Sequence, residues 1–207
     1  MSDRHPQSHE TVQRTGQWRG TGRLTRLSVA VLVVVAFVLP LAYAWVTSQA
    51  WEDFYISFRH SVNLAEGRGL TYQEGQTIQG FSSPLATLAL AATYRLSGFS
   101  EAGALWIFRV LCAGAYASGL FLLLRATMRS GTAAAGLPLI LPGLVYVLDL
   151  KSLTFTANGM ETGLLLFFLA ASLGCLAGDR EHSGWALGAA WGGLLWTRPD
   201  GLIYVAA

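Results

Sequence analysis

From Leu27 to Val46 the chain runs for twenty residues without a charged side chain. At about 1.5 Å per residue, a helix of that length covers the roughly 30 Å of hydrocarbon in a bilayer. Backbone groups in hydrocarbon must be paired within the segment, which leaves a helix as the fold for an isolated run of this kind. The apolar core is longer than that of a signal peptide, and Trp45 and Trp51 mark an interfacial belt rather than a cleavage site. The run is therefore expected to be the first transmembrane helix. With 53% hydrophobic and only 13% charged residues, the chain is far more apolar than a soluble one and reads as an integral membrane protein.

Further apolar segments are Leu85 to Leu96, Ala102 to Leu124, Thr132 to Leu150, Gly163 to Ala177 and Gly184 to Trp196, with another run beginning at Leu202. The expected fold class is all-α, a polytopic transmembrane helical bundle over residues 27–207. A large first external loop occupies about residues 47–84. The sequence stops inside an apolar run, so a fragment lacking its C-terminal helices is expected.

Residues 1–26 are polar and carry Arg4, Arg14, Arg19, Arg23 and Arg26 against Asp3 and Glu10. They are expected to be disordered and cytoplasmic. If every later segment crossed, Arg125 and Arg129 would lie outside, against the positive-inside tendency. Leu85 to Leu96 is short enough to dip and return. Arg125 and Arg129 then become cytoplasmic, as does Asp179 to His182, while Asn158 to Thr162 and Arg198-Pro199-Asp200 become external.

Between the first two apolar runs lies the densest polar insertion, Trp51 to Pro84. Its first part reads as an amphipathic helix. At about 100° per residue, Trp51, Phe54, Tyr55, Phe58 and Val62 fall on one arc, expected to rest in lipid. Asp53, Ser57 and His60 lie opposite, and Glu52, Arg59 and Asn63 flank them. Glu52 and Asp53 cannot both point the same way, and Asp53, facing away from the lipid arc, is the candidate reacting carboxylate. A solvated polar face is the plainer account of the same pattern. Glu66-Gly67-Arg68-Gly69 and Glu74-Gly75 then form a turn-rich loop, and Ser82 or Ser83 caps the next helix with Pro84 at its first position.

Cys112 and Cys175 sit far apart in apolar segments and read as small core residues, and four scattered histidines give no zinc pattern. The sequence requires no cofactor, while leaving room for a divalent cation, and the lipid bilayer rather than a nucleic acid is the expected partner. Arg109, Glu161 and the Arg198-Pro199-Asp200 triplet are costly near lipid, so each is expected to face protein or a wet cavity. For Arg109, pairing with carbonyls of another helix is the structural account. Glu161 and Asp200 sit in Gly- or Pro-containing breaks, where freed backbone groups can line a cavity.

Glu52-Asp53-Phe54-Tyr55-Ile56-Ser57-Phe58-Arg59, then Gly67 to Tyr72, then Gly75 to Leu85, resemble the first external loop of bacterial GT-C glycosyltransferases of the arabinofuranosyltransferase-like and mannosyltransferase-like kind. Asn158-Gly159-Met160-Glu161-Thr162 and Thr197-Arg198-Pro199-Asp200-Gly201 resemble two further motifs of those proteins, in order. Glu52 stands where the first of two aspartates is usual, Gln79 where an acid is common, and Ala86 where tryptophan is frequent. The resemblance implies transfer of a sugar from a polyprenyl-phosphate donor to a glycan or other cell-envelope acceptor on the outer face of the bacterial plasma membrane. Asp53 would be the general base with Glu52 secondary, and Arg59 and Arg198, with Arg68 behind them, would face the leaving phosphate. His60, Glu161 and Asp200 complete the expected substrate-binding set. A transporter or flippase, and an inactive relative serving as an assembly partner, are the competing classes.

Overall fold

The computed structural model describes residues 10–73, 80–129, 137–177, 183–201 and 203. Every extended regular element among them is helical: α1 Glu10–Thr47, α2 Glu52–Ala65, α3 Pro84–Leu96, α4 Glu101–Arg129, α5 Leu137–Leu148, α6 Leu150–Ala157, α7 Thr162–Leu176 and α8 Ser183–Thr197. A 3₁₀ turn at Pro199–Gly201 follows. Gly22–Thr47 and Glu101–Arg129 are each long and apolar enough to cross a membrane, and the bent pair Pro138–Leu148 and Leu150–Ala157 makes a third if taken as one span.

Two boundaries differ from the sequence reading. α1 begins at Glu10, so from there onward the stretch expected to be disordered up to residue 26 is helical. Once the apolar span is helical, extending it backward fixes one residue per hydrogen bond gained and avoids a second nucleation. The single run expected over Thr132 to Leu150 is interrupted at its end. Asp149 takes an extended backbone, its Oδ2 accepts from the Ser152 N–H at 3.2 Å, and the chain restarts as α6 after a bend of 49°. That carboxylate is an N-cap, which ends one helix direction by starting another. Residues 130–136, the turn at Glu74-Gly75, Gln79, the loop Asp179 to His182 and, apart from Ile203, the run from Leu202 lie outside the described residues.

Side-chain neighbours fix the direction of each helix. Trp45, near the end of α1, lies 5.8 Å from Trp106, near the start of α4, between ring centroids. Val29 and Leu32, from earlier in α1, share a buried cluster with Leu120 and Leu124. α1 and α4 are therefore antiparallel, and α4 starts at the end of the bundle where α1 stops. α2 and α3 lie between them in sequence and belong to that same end, covering the first half of α4: Phe54, Phe58, Ala86 and Leu90 are buried with Ala104, Phe108 and Cys112. At 13 residues, α3 is only about 20 Å long.

The broken span then runs back along α4. Gly143 faces Leu32 and Leu124, Tyr146 stacks on Tyr116 at 4.5 Å, and the Ala157 carbonyl accepts from Arg109 Nε at 2.8 Å. Each of the two tyrosines donates its hydroxyl to the other's backbone carbonyl, so the stacked pair is also a polar latch. α7 turns round and follows α4 in the same direction, with Gly163 against the Cys112 carbonyl and Phe167 beside Gly119. α8 returns, with Gly193 against Phe168 and Arg198 reaching Glu161. The start of α2, the α6–α7 turn and the end of α8 meet at one end of the bundle.

The arc of α2 expected to lie in lipid is covered by protein at its two phenylalanines. Phe54 is 1% exposed and Phe58 5%, against α3 and α4, while Trp51 and Tyr55 of the same arc remain exposed. Periodicity reports that a helix face is covered, not what covers it, and an apolar protein surface satisfies the pattern as well as acyl chains do.

Candidate functional site

Arg109 positions the polar end of the bundle. It is 3% exposed within α4. Its Nε donates to the Ala157 carbonyl at the end of α6, and its Nη2 donates to the Gln49 carbonyl in the α1–α2 linker. A guanidinium carries five N–H groups in a fixed fork, so one side chain can satisfy freed carbonyls on two segments at once. Beside it, Trp51 N–H donates to the Asn158 carbonyl at 3.1 Å and the Trp51 ring stacks on Phe155 at 5.3 Å. Gly159, at φ 88°, lies so near Phe54 that a Cβ there would come within 2.8 Å of the ring, so both conformation and space call for glycine. These contacts hold the first turn of α2, with Glu52 and Asp53, against the α6–α7 turn.

Glu161 ends that turn and begins α7, 6% exposed. Its Oε1 lies 4.0 Å from Arg198 Nε, and the same Nε donates to Asp200 Oδ1 at 3.2 Å. Burial pushes the Glu161 carboxyl above the usual carboxylate range. Its own backbone N–H and the Arg198 guanidinium pull the other way, and the charges of Asp53 and Asp200 add to the upward push. Asp53, Glu161, Arg198 and Asp200 thus form one electrostatic cluster, with Asp53 and Asp200 open to solvent and Arg198 half exposed. Asn158 and Thr156, nearby on the same turn, each keep a buried side-chain oxygen without a hydrogen-bond partner.

The other expected residues lie elsewhere. Arg59 is exposed on a different face of α2, about 120° round and 9 Å along from Asp53 by helix geometry, and lines a cavity with Tyr94, Phe99 and Glu101. Arg68 is tied into the loop after α2, ion-paired with Glu66 and donating from Nε to Asn63 Oδ1 at 2.9 Å. Asn63 in turn donates from Nδ2 to the Thr71 carbonyl at 2.6 Å, so Arg68 shapes the loop. His60, expected to share an open face with Asp53, is fully buried. Its Nδ1 lies 3.0 Å from the Ile56 carbonyl, and Tyr72 and Phe81 cover the ring. A Cβ on Gly80 would come within 3.0 Å of it.

Among the described residues, no three His, Cys, Asp or Glu side chains gather to hold a metal ion. The carbonyl pairing that the sequence offered for Arg109 is present, joining α6 to the α1–α2 linker, whereas Arg59 lies apart from the cluster that holds Arg198. Comparison with protein-family profiles, characterised proteins and solved structures finds no match to this chain.

Proposed function

We propose that this protein is a membrane glycosyltransferase of the GT-C kind, moving a sugar from a polyprenyl-phosphate donor to a cell-envelope acceptor at the outer face of a bacterial plasma membrane. The observation that carries the reading is the convergence of three sequence-distant polar motifs. Asp53, Glu161 and Arg198 meet at one end of an apolar helical bundle.

The chemistry asks for few groups. The acceptor hydroxyl oxygen forms a bond to the anomeric carbon while the bond from that carbon to the phosphate oxygen breaks, and the electron pair leaves with the phosphate. Asp53, exposed at the first turn of α2, takes the hydroxyl proton as general base. Arg198, paired with Glu161 at the same end of the bundle, is the cation that would meet the growing negative charge on the departing phosphate. Asp200 holds that guanidinium from the open side and Glu161 from the buried side. Burial raises the Glu161 pKa, and Asp200, exposed, is the nearer of the two carboxylates to the Arg198 guanidinium.

The deciding experiment is transfer of radiolabelled sugar from polyprenyl-phosphate donors on membranes carrying the full chain. Wild type should transfer label and Asp53→Asn should not, at equal membrane yield and protease resistance. Transfer that survives in Asp53→Asn would remove the base assignment. No transfer by wild type from any such donor would favour an assembly partner or a transporter instead.

A further inference from the structure

A cavity of about 670 Å³ opens beside α2 on the side turned away from Asp53, lined by Tyr55, Arg59, Tyr72, Tyr94, Phe99 and Glu101 among others. That volume lies within the range of roughly 300–1,000 Å³ usual for small-ligand pockets. One wall is a fixed aromatic chain. Buried Phe58 meets Tyr94 edge-on at 5.5 Å, and Tyr94 meets Phe99 edge-on at 5.4 Å. Phe99 is held at φ 65°, which few side chains other than glycine adopt, and its ring stays 54% exposed at the cavity rim.

The lining selects a ligand class. Arg59 and Glu101 place one positive and one negative group on the same cavity. A phosphate would meet repulsion from Glu101, whereas a neutral polyhydroxyl compound can accept from the guanidinium and donate to the carboxylate. Aromatic faces carry partial negative charge, and the C–H edges of a sugar ring carry partial positive charge, so rings stack on such walls without any net charge on the ligand. Glu52, Tyr55 and Arg59 follow one stripe of α2, three and four positions apart, running from the cavity to the first turn where Asp53 sits.

We propose that this cavity binds a neutral saccharide chain, laid along the Glu52, Tyr55 and Arg59 stripe so that its terminal ring reaches Asp53. Its role as acceptor site rests on the glycosyltransferase reading above; saccharide binding itself does not.

The test is saturation-transfer NMR on the full chain in lipid nanodiscs. The probes are neutral tetrasaccharides of mannopyranose, glucopyranose and arabinofuranose, with glycerol 1-phosphate as the anionic probe. At least one tetrasaccharide should receive saturation at its ring C–H protons, and glycerol phosphate should not. Tyr55→Leu and Phe99→Gly should each weaken binding by about three- to tenfold, the worth of an aromatic stacking contact. Phe99→Gly removes the ring while relaxing the positive φ, and thermal unfolding of both variants at the wild-type midpoint separates lost binding from lost folding. Failure of all three tetrasaccharides to bind, or Arg59-dependent binding of glycerol phosphate in their place, overturns the proposal. Binding without any sugar transfer by wild type would remove the glycosyltransferase reading and leave a saccharide-binding site standing. Transfer that depends on Asp53, with no tetrasaccharide bound, would remove this site alone.

Discussion

Arg109, in the middle of an apolar helix, donates from Nε to the backbone carbonyl of Ala157, 48 positions later in the chain, at 2.8 Å. Replacing Arg109 by Met keeps an apolar stem but leaves the Ala157 and Gln49 carbonyls unpaired. Each buried unpaired carbonyl costs about 1–3 kcal/mol. Arg109→Met should therefore lose about 2–6 kcal/mol of stability, read by thermal unfolding in detergent. A loss below about 0.5 kcal/mol would mean that water takes over both carbonyls at no cost and that the clamp is dispensable.

Glu161 gives the protein a pH dependence with a definite sign. Burial raises its folded-state pKa above the ordinary 4.5, so the folded state holds the proton more tightly than the unfolded chain. The stability linked to that proton is fully present below pH 4.5 and is lost as pH rises through the raised folded value. Urea titrations from pH 4 to 8 should show wild type weakening relative to Glu161→Gln, which stays neutral throughout. A constant gap between the two across that range would mean that Glu161 titrates as an ordinary carboxylate.

The acidic pair should divide unequally. Asp53→Asn keeps the shape and removes the base, a loss typically worth about 10²- to 10⁴-fold in turnover. Glu52 lies about 100° round α2 from Asp53, on the stripe it shares with Tyr55 and Arg59, so Glu52→Gln should act more on the acceptor KM than on kcat. If Glu52→Gln is the dead variant and Asp53→Asn is not, the roles within the pair are reversed.

Two glycines of α7 should respond in opposite ways. A Cβ on Gly163 would overlap the Cys112 backbone carbonyl, and helix backbones cannot yield as a flexible side chain would. Gly163→Ala should cost about 1–3 kcal/mol as an overpacked contact. Gly174 has nothing within 4 Å of its added Cβ, and Gly174→Ala should gain up to about 1 kcal/mol from helix propensity. Equal effects at the two sites would argue against the close α4–α7 approach.

Orientation can be read by cysteine labelling in a Cys-free background. The antiparallel pairing of α1 with α4 puts Glu66 and Asp200 at one end of the bundle and Arg129 at the other. An impermeant reagent added outside should modify Glu66→Cys and Asp200→Cys and leave Arg129→Cys untouched. Labelling of Arg129→Cys together with Glu66→Cys would mean that α3 crosses and the first four helices alternate.

Most of the helical content was legible in the sequence because it follows from local rules: an uncharged run of spanning length, and Ser83 with Pro84 opening α3, where Ser83 Oγ accepts from the Ala86 N–H at 3.2 Å. The cluster of Asp53, Glu161, Arg198 and Asp200 was legible only as separate motifs. Their meeting depends on helix directions set by pairs such as Trp45 with Trp106, to which sequence spacing carries no clue. His60 was misplaced for a related reason: its polar ring sits on the predicted polar face, yet Tyr72 and Phe81 from the following loop fold over it. The bend at Asp149 was hidden because a cap and a boundary residue of a span look alike until the next helix is seen to continue.

The packing of α2 also imposes an order on biogenesis. A chain emerging from its N-terminus completes Phe54 and Phe58 well before it has made Phe108, Cys112 or Leu164, against which they are buried in the finished fold. During that interval the aromatic face has no protein to rest on, and the bilayer surface is the nearest apolar medium. The packed position of α2 can therefore be reached only after α4 has been made, so the order of synthesis is not the order in which this end of the bundle closes.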